Sequence, residues 1–159
     1  MSRTTFSGPV KSGTNRYAPF QNVGTTTLVQ STAFAFTAAG TTTNTIYIPA
    51  GSKIINIFFD TVSAFTGGTG AATVGNVASG TQYAPSTTIT SGARVTPTFT
   101  ATNLTNMLST PVDVAAANSQ QATSAIAVTV VAGAGVTAGS VVCNIVYAQS
   151  DDRSAYNTQ

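Results

Sequence analysis

The sequence predicts an all-β fold, a sandwich or barrel of about eight strands that follows an extended N-terminal arm. From Thr25 onward, short apolar or alternating runs rich in Thr, Val, Ile and Phe are separated by Gly, Pro, Asn and Ser, which is typical of a sandwich or barrel. The length of 159 residues fits one domain with one core. Eight strands fit two packed sheets, so we expect a sandwich domain over residues 25–150.

Residues 1–24 are predicted to form the arm. Residues that interrupt any periodic pattern recur along it, at Gly8-Pro9, Gly13, Pro19 and Gly24. It also has three cations and no acidic residue, the cations being Arg3, Lys11 and Arg16. Such an arm suits docking on an acidic surface, and the alternative is a disordered terminus. Tyr17 and Phe20 favour docking, because two exposed aromatic rings in a free tail would gain nothing.

Strands are predicted near residues 26–37, 44–48, 53–63, 72–78, 87–90, 94–100, 123–131 and 140–149. Turn residues separate several of them, at 49–51, 67–70 and 132–135. Leu104, Met107 and Leu108 have helical spacing, so residues 102–109 are the one helix candidate. Residues 151–159 form a polar C-terminal tail, which is either a second arm or a frayed end.

Alternation is clearest in the last two predicted strands. Ile126, Val128 and Val130 fall on one face of the first of them. The strand near 140–149 is apolar on both faces, which predicts that the sandwich covers one face and a loop or a neighbouring subunit covers the other. Asn56 and Asn144 interrupt apolar runs, and each needs a hydrogen-bond partner if it is buried.

The scarcity of charge is the most informative compositional feature. Charged residues make up 6% of the chain and hydrophobic residues 42%, whereas an ordinary soluble domain is about 25% charged. Few lysines or prolines are available to block pairing between sheet edges of different copies. Hydroxyl and amide groups could suffice for solubility, but we favour a surface that is partly buried against partners.

Side chains for catalysis or metal binding are scarce, so no enzyme and no cofactor is predicted. The chain has no His and no Glu, and its acidic residues are Asp60, Asp113, Asp151 and Asp152. The single cysteine, Cys143, has no evident base beside it and is interpreted as a small buried apolar residue. A zinc site would need more Cys or His, and Asp151-Asp152 is interpreted as part of a solvated tail.

Nucleic-acid binding and membrane insertion are not predicted. The net charge is +2 and no Lys/Arg patch is present. No apolar run of about 18 residues occurs, so no membrane span is expected. Asn103-Leu104-Thr105 matches the N-glycosylation triplet, although such triplets also arise by chance.

Three stretches together carry a resemblance to a known family: residues 5–13, 24–30 and 48–55. In order and spacing, the chain resembles the small head decoration, or capsid cement, proteins of tailed bacteriophages. The resemblance implies a jelly-roll-like β-sandwich that is a homotrimer, lies on the outer face of the capsid in the virion and bridges neighbouring capsomers. The major capsid protein would then be its partner, and jelly rolls are common in viral domains.

The arm is the predicted contact with the capsid, its cations meeting acidic groups and its aromatic rings filling grooves. The residues expected to make this contact are Arg3, Phe6, Lys11, Arg16, Tyr17 and Phe20. The alternative function is a carbohydrate- or receptor-binding module of a phage head or tail fibre, which the same fold could support. The chain has no Trp and its five Tyr residues are scattered, which favours the cement interpretation over a sugar platform.

Overall fold

A computed structural model describes residues 25–49, 52–89, 92–108 and 123–150. The predicted arm, the predicted C-terminal tail and Asp113 therefore lie outside the described residues. Within these ranges the chain forms eight strands and one short helix. The strands are β1 (Thr25–Phe36), β2 (Gly40–Pro49), β3 (Lys53–Thr66), β4 (Gly70–Gly75), β5 (Ala84–Ile89), β6 (Arg94–Val95), β7 (Thr123–Ala132) and β8 (Ala138–Ser150), and α1 (Ala101–Leu108) precedes β7.

The strands form two four-stranded antiparallel sheets, which confirms the predicted all-β sandwich. The first sheet has the order β1-β8-β3-β6, and the second has the order β2-β7-β4-β5. The chain passes from one sheet to the other at every connection except the one between β4 and β5. The last strand, β8, therefore lies between β1 and β3 in the middle of the first sheet.

The core lies between the two sheets, where alternate residues of each strand meet. Phe59, Ile57 and Ile145 of the first sheet are fully buried, as are Ile126 and Val128 of the second. The predicted alternation in β7 and β8 is confirmed, because the alternate residues that were placed on one face of each strand are buried together in the core. Burial of these aliphatic and aromatic side chains is the main favourable term in the stability of the sandwich.

The second face of β7 is covered within the chain. Thr129 is 1% exposed, and its hydroxyl accepts a hydrogen bond from the Ser79 N–H at 2.8 Å and lies 2.9 Å from the Thr43 hydroxyl. Ser79 belongs to the β4–β5 loop and adopts a positive φ of 58°. This loop therefore lies over the outer side of the second sheet. The second face of β8 is less well covered, because Val142 and Val146 are half-buried.

Several strand predictions were wrong in extent. The strand predicted at 44–48 begins four residues earlier, at Gly40, and the strand predicted at 87–90 begins three residues earlier, at Ala84. The strand predicted at 94–100 ends at Val95, after two residue pairs with β3. Pro97 lacks an N–H for a ladder, and the next residues lead directly into α1. The strand predicted at 72–78 ends at Gly75, where the β4–β5 loop begins. The helix predicted at 102–109 is confirmed as α1.

The sandwich has two different ends, which we call the glycine-loop pole and the terminal pole. At the glycine-loop pole the β3–β4 and β7–β8 loops join through the Gly133 N–H to the Thr69 carbonyl at 2.9 Å. Gly67 and Gly135 have φ of +82° and +86°, and an added Cβ on either would collide with the other's carbonyl oxygen. At the terminal pole, Thr25 pairs with Ser150, so both ends of the sandwich domain leave the body side by side.

Candidate interaction surfaces

The outer face of the first sheet, turned away from the core, carries a mixture of small apolar side chains and one polar network. Its residues alternate with the core residues of the same strands and occupy matching register positions across the sheet. The outward residues include Val29, Ser31, Ala33 and Ala35 of β1, Val142, Asn144 and Val146 of β8, Phe58 and Asp60 of β3, and Arg94 of β6.

A chain of hydrogen bonds crosses all four strands of this outer face. The Ser31 hydroxyl donates to Asn144 Oδ1 at 2.6 Å, and Asn144 Nδ2 donates to Asp60 Oδ2 at 3.0 Å. Arg94 completes the chain with two bonds to Asp60, from Nε at 2.7 Å and from Nη2 at 3.0 Å. Asn144 is 9% exposed and has the partners that the sequence required for it.

The charges in this network neutralise one another. The hydrogen bonds from Arg94 hold the pKa of Asp60 below its usual value, since they favour the charged carboxylate. The Arg94 guanidinium also lies 4.1 Å from the centroid of the Phe58 ring, in cation–π contact. Lys53 is the one other charged residue among the described residues. The outer face is therefore almost free of net charge.

Apolar side chains flank the network on the exposed side. Val29 is 56% exposed and Val62 is 68% exposed. Val62 is the extra residue of a β-bulge between Thr61 and Ser63, where β3 slips by one residue against β8. A shallow groove of about 240 Å³ lies beside it, lined in part by Ala33, Ala35 and Val142.

A second, more polar groove of about 350 Å³ lies between α1 and the β4–β5 loop. Its lining residues are uncharged: Thr81, Gln82, Pro85, Thr100, Thr102, Asn103 and Asn106. Asn103 is 5% exposed, and its Nδ2 donates to the carbonyls of Thr81 at 2.7 Å and Gln82 at 3.0 Å. The glycosylation triplet therefore has its acceptor nitrogen engaged inside the fold, where a glycan has no room.

Among the described residues, Cys143 and Asp60 are held in structural roles. Cys143 is fully buried in the core, and burial raises the pKa of its thiol to about 12, so the thiol stays protonated. Asp60 is committed to Arg94 and Asn144. Among the described residues no cluster of three metal-ligating side chains occurs. No helix in that part of the chain is long and apolar enough to cross a membrane.

The predicted capsid-contact residues, Arg3, Phe6, Lys11, Arg16, Tyr17 and Phe20, all lie outside the described residues. The structure places the residue from which they extend, since Thr25 begins β1 at the terminal pole. The hydrogen-bond network that runs from Ser31 to Arg94 was not predicted from the sequence. Asp60 and Arg94 are the signal that could have found it, because both are charged residues within predicted strands and have opposite signs.

Charge is distributed unevenly between the two poles. Six of the ten charged residues belong in sequence to the segments before Thr25 and after Ser150, the two residues that pair at the terminal pole: Arg3, Lys11, Arg16, Asp151, Asp152 and Arg153. Lys53, which pairs with Ala148, lies at the same pole. The loops of the glycine-loop pole, residues 37–39, 66–70 and 133–137, contain no charged residue. Among the described residues, Lys53 is therefore the charged residue nearest the pole at which these two segments begin.

Comparison with known proteins gives no relative. No protein-family model, no curated protein and no solved structure matches the chain. The surfaces and the charge distribution described above are therefore the basis for a function.

Proposed function

We propose that this protein is a structural component of a phage virion that binds the outer surface of the capsid and stabilises it by bridging capsomers. The observation that carries the proposal is the contrast between the poles. Six of ten charged residues belong to the segments that join the body at the terminal pole, through Thr25 and Ser150, and the loops of the opposite pole have none. A molecule that attaches by one end and exposes an inert opposite end suits a surface-bound decoration.

The arm supplies the attachment in this proposal. Its three cations have no acidic residue among them in the sequence of residues 1–24. In this proposal they pair with acidic groups of the major capsid protein. Phe6, Tyr17 and Phe20 supply apolar anchors of the kind that dominate interface energetics. The described body has little to offer as an electrostatic contact, because Asp60 and Arg94 are already paired with each other.

The strand order supports a jelly roll as the form of the sandwich. Two four-stranded antiparallel sheets with orders β1-β8-β3-β6 and β2-β7-β4-β5 arise when a long antiparallel ribbon folds over itself. Eight-stranded jelly rolls are common in viral and lectin domains. This order fits the family resemblance, which also implies a homotrimer.

Mass action supplies the stabilising mechanism. A protein that binds the assembled shell and not its separated subunits stabilises the shell by about 2.7 kcal/mol per site at a free concentration one hundred times its Kd. Attachment of three arms from one trimer would raise the avidity further, because later contacts form within one complex. No covalent chemistry is required, which accords with a chain that lacks His and Glu.

The test is co-sedimentation of the purified full chain with phage heads of its own source. We expect saturable, stoichiometric binding that weakens as salt is raised, because exposed charge pairs are screened. Deletion of residues 2–20, or the triple variant Arg3→Ala/Lys11→Ala/Arg16→Ala, should reduce the bound fraction at least tenfold. Arg3→Lys/Lys11→Arg/Arg16→Lys is the matched control, since it alters the same three side chains and keeps their charge.

Two results would overturn the proposal. Capsid affinity that survives deletion of residues 2–20 would exclude the arm as the attachment. Failure of the intact chain to bind heads, together with selective binding on a glycan array, would favour the carbohydrate- or receptor-binding module instead.

A further inference from the structure

The strand β1 forms an unusually open edge of the first sheet. It pairs with β8 through twelve consecutive residues without a register shift, and no strand of the described chain pairs with its other edge. β1 contains no charged residue, no proline and no bulge. Natural sheets usually guard long edges with such features, because an open edge can pair with another chain.

The backbone groups that point away from β8 can be assigned from neighbouring hydrogen bonds. The Thr61 N–H donates to the Ala93 carbonyl next to β6, at 3.4 Å, so the backbone groups of Thr61 point away from β8. The adjacent residue Asp60 then faces β8, where its register partner is Val142. Since Val142 faces β3, its partner on the other side, Ala33, turns its own N–H and C=O away from β8.

A second hydrogen bond agrees with this assignment. Asn44 of β2, in the other sheet, donates from Nδ2 to the Ala33 carbonyl at 3.2 Å. Because backbone direction alternates along a strand, the N–H and C=O groups of Thr27, Val29 and Ser31 also point to the open edge. Asn44 occupies the edge at Ala33 and separates Ala35 from the rest. Thr27, Val29 and Ser31, together with Thr25 at the start of the strand, therefore form the uninterrupted available part of the edge among the described residues.

Apolar exposure coincides with the available part of the edge. Leu28 is 38% exposed although it lies on the core side of β1, and Val29 is 56% exposed on the outer face. An extended chain laid along this edge would thus shield an apolar side chain on each face while it satisfies backbone donors and acceptors.

We propose that β1 pairs antiparallel with β1 of a second copy about a two-fold axis at Val29. This register places Val29 of one copy opposite Val29 of the other, and Thr27 opposite Ser31 on both sides. Thr27, Val29 and Ser31 then form ladder pairs, and the two exposed Val29 side chains meet on the outer face. Thr25 falls opposite Ala33, whose carbonyl Asn44 already binds. No charge lies in β1, so the two identical strands meet without like-charge repulsion.

A strand edge selects an extended backbone as its partner, and β1 itself meets that requirement in length, polarity and hydrogen-bond spacing. Pairing would join the two first sheets into one continuous sheet across the dimer. A two-fold contact closes after two copies, so it is separate from any three-fold contact. The inference rests on the β1 edge and stands or falls independently of capsid binding.

Disulfide cross-linking at Val29 tests the pairing. Residues in a hydrogen-bonded antiparallel pair have Cα atoms about 5.5 Å apart, which lies within the range that a disulfide spans. Val29→Cys should therefore give a covalent dimer on mild oxidation at micromolar concentration. Cys143 is buried and contributes no accessible thiol. Val62→Cys is the matched control, since Val62 is more exposed, at 68%, but lies on β3, away from the edge.

Val29→Pro tests the same contact without a covalent bond. Proline is tolerated on an edge strand where the missing N–H faces outward, so we expect an unchanged circular dichroism spectrum. The mass in sedimentation equilibrium should fall from a dimer, or an even multiple, to half that value.

Three results would overturn the proposal. The first is oxidation of Val29→Cys to dimer no faster than Val62→Cys. The second is a mass of the native chain that Val29→Pro leaves unchanged. The third is that Val29→Cys forms a covalent dimer only when residues 2–20 are also deleted. That result would identify the arm as the occupant of the edge. Capsid binding is measured separately, so failure here does not affect the proposed function.

Discussion

Replacement of Asn103 by alanine should destabilise the protein by about 2–3 kcal/mol. The Asn103 amide accepts two hydrogen bonds from Thr100, from the N–H at 3.1 Å and from the hydroxyl at 2.7 Å. Thr100 accepts one in return from the Asn103 N–H at 3.2 Å, which completes a capping box at the start of α1. The variant keeps the Thr100 cap and loses the two bonds to Asn103 Oδ1, which costs about 1 kcal/mol because Thr100 is exposed and water can replace part of the loss.

The other half of the estimate comes from the link to the β4–β5 loop. Asn103 Nδ2 donates to the carbonyls of Thr81 and Gln82, and two lost hydrogen bonds cost about 1–2 kcal/mol together. The Gln82 carbonyl retains a bond from Asn106 Nδ2 at 3.1 Å, so it is not left without a partner. That retained bond keeps the total at the lower end of the range for buried polar groups.

Thermal and urea unfolding followed by far-ultraviolet circular dichroism would measure the loss, since the chain has no Trp. At about 2–4 °C per kcal/mol for a chain of this size, Tm should fall by about 5–10 °C. Thr105→Ala is the control, because Thr105 is exposed and makes one bond, to the Ala101 carbonyl. Equal stabilities of the two variants would refute the assignment of Asn103 as the anchor between α1 and the loop.

Three further outcomes are expected. Ile145→Ala, at a fully buried core position, should cost about 2–5 kcal/mol in urea unfolding, whereas Val62→Ala should change stability by less than about 0.5 kcal/mol; similar losses would contradict the assigned core. The pKa of Asp60 is lowered in the fold, so its ion pair with Arg94 stabilises the protein above about pH 4 and is lost as the pH falls through the lower folded value. The Tm advantage of the native chain over Asp60→Asn should therefore shrink from pH 7 to pH 2, and a constant advantage would refute the linkage. The thiol of Cys143, with a pKa of about 12, should resist a thiol reagent at pH 8 until urea unfolds the chain, and rapid labelling of the native protein would show that β8 opens readily.

Strand positions were predictable because burial in a sandwich leaves a period-2 signal in the sequence. Ile126, Val128 and Val130 show this signal, and the structure buries all three. β6 shows its limit, since the residues after Val95 have strand-like composition but pair with no strand of the described chain. The length of a short edge strand depends on how many residues of the neighbouring strand are free to pair with it. β3 forms only two residue pairs with β6.

The outer-face network could not be predicted because it depends on which strands are neighbours. Ser31 and Asn144 are separated by 113 residues, and Asn144 and Asp60 by 84 residues. No local pattern brings such residues together, and the order of strands along the chain does not determine their order in a sheet. The pole contrast became visible only once Thr25 and Ser150 were placed side by side.

The position of β8 has a consequence for biosynthesis. It leaves the ribosome after the other seven strands of the described chain, yet it lies between β1 and β3 and pairs with both. The first sheet therefore cannot close while the chain is still being made, and β1 and β3 must wait with open edges for a partner more than 70 residues downstream. Folding through such distant contacts is slow, and exposed edges invite aggregation in the interval. Truncation within β8 would leave translation products that cannot complete the first sheet, so synthesis through Ser150 is itself a condition for a folded sandwich.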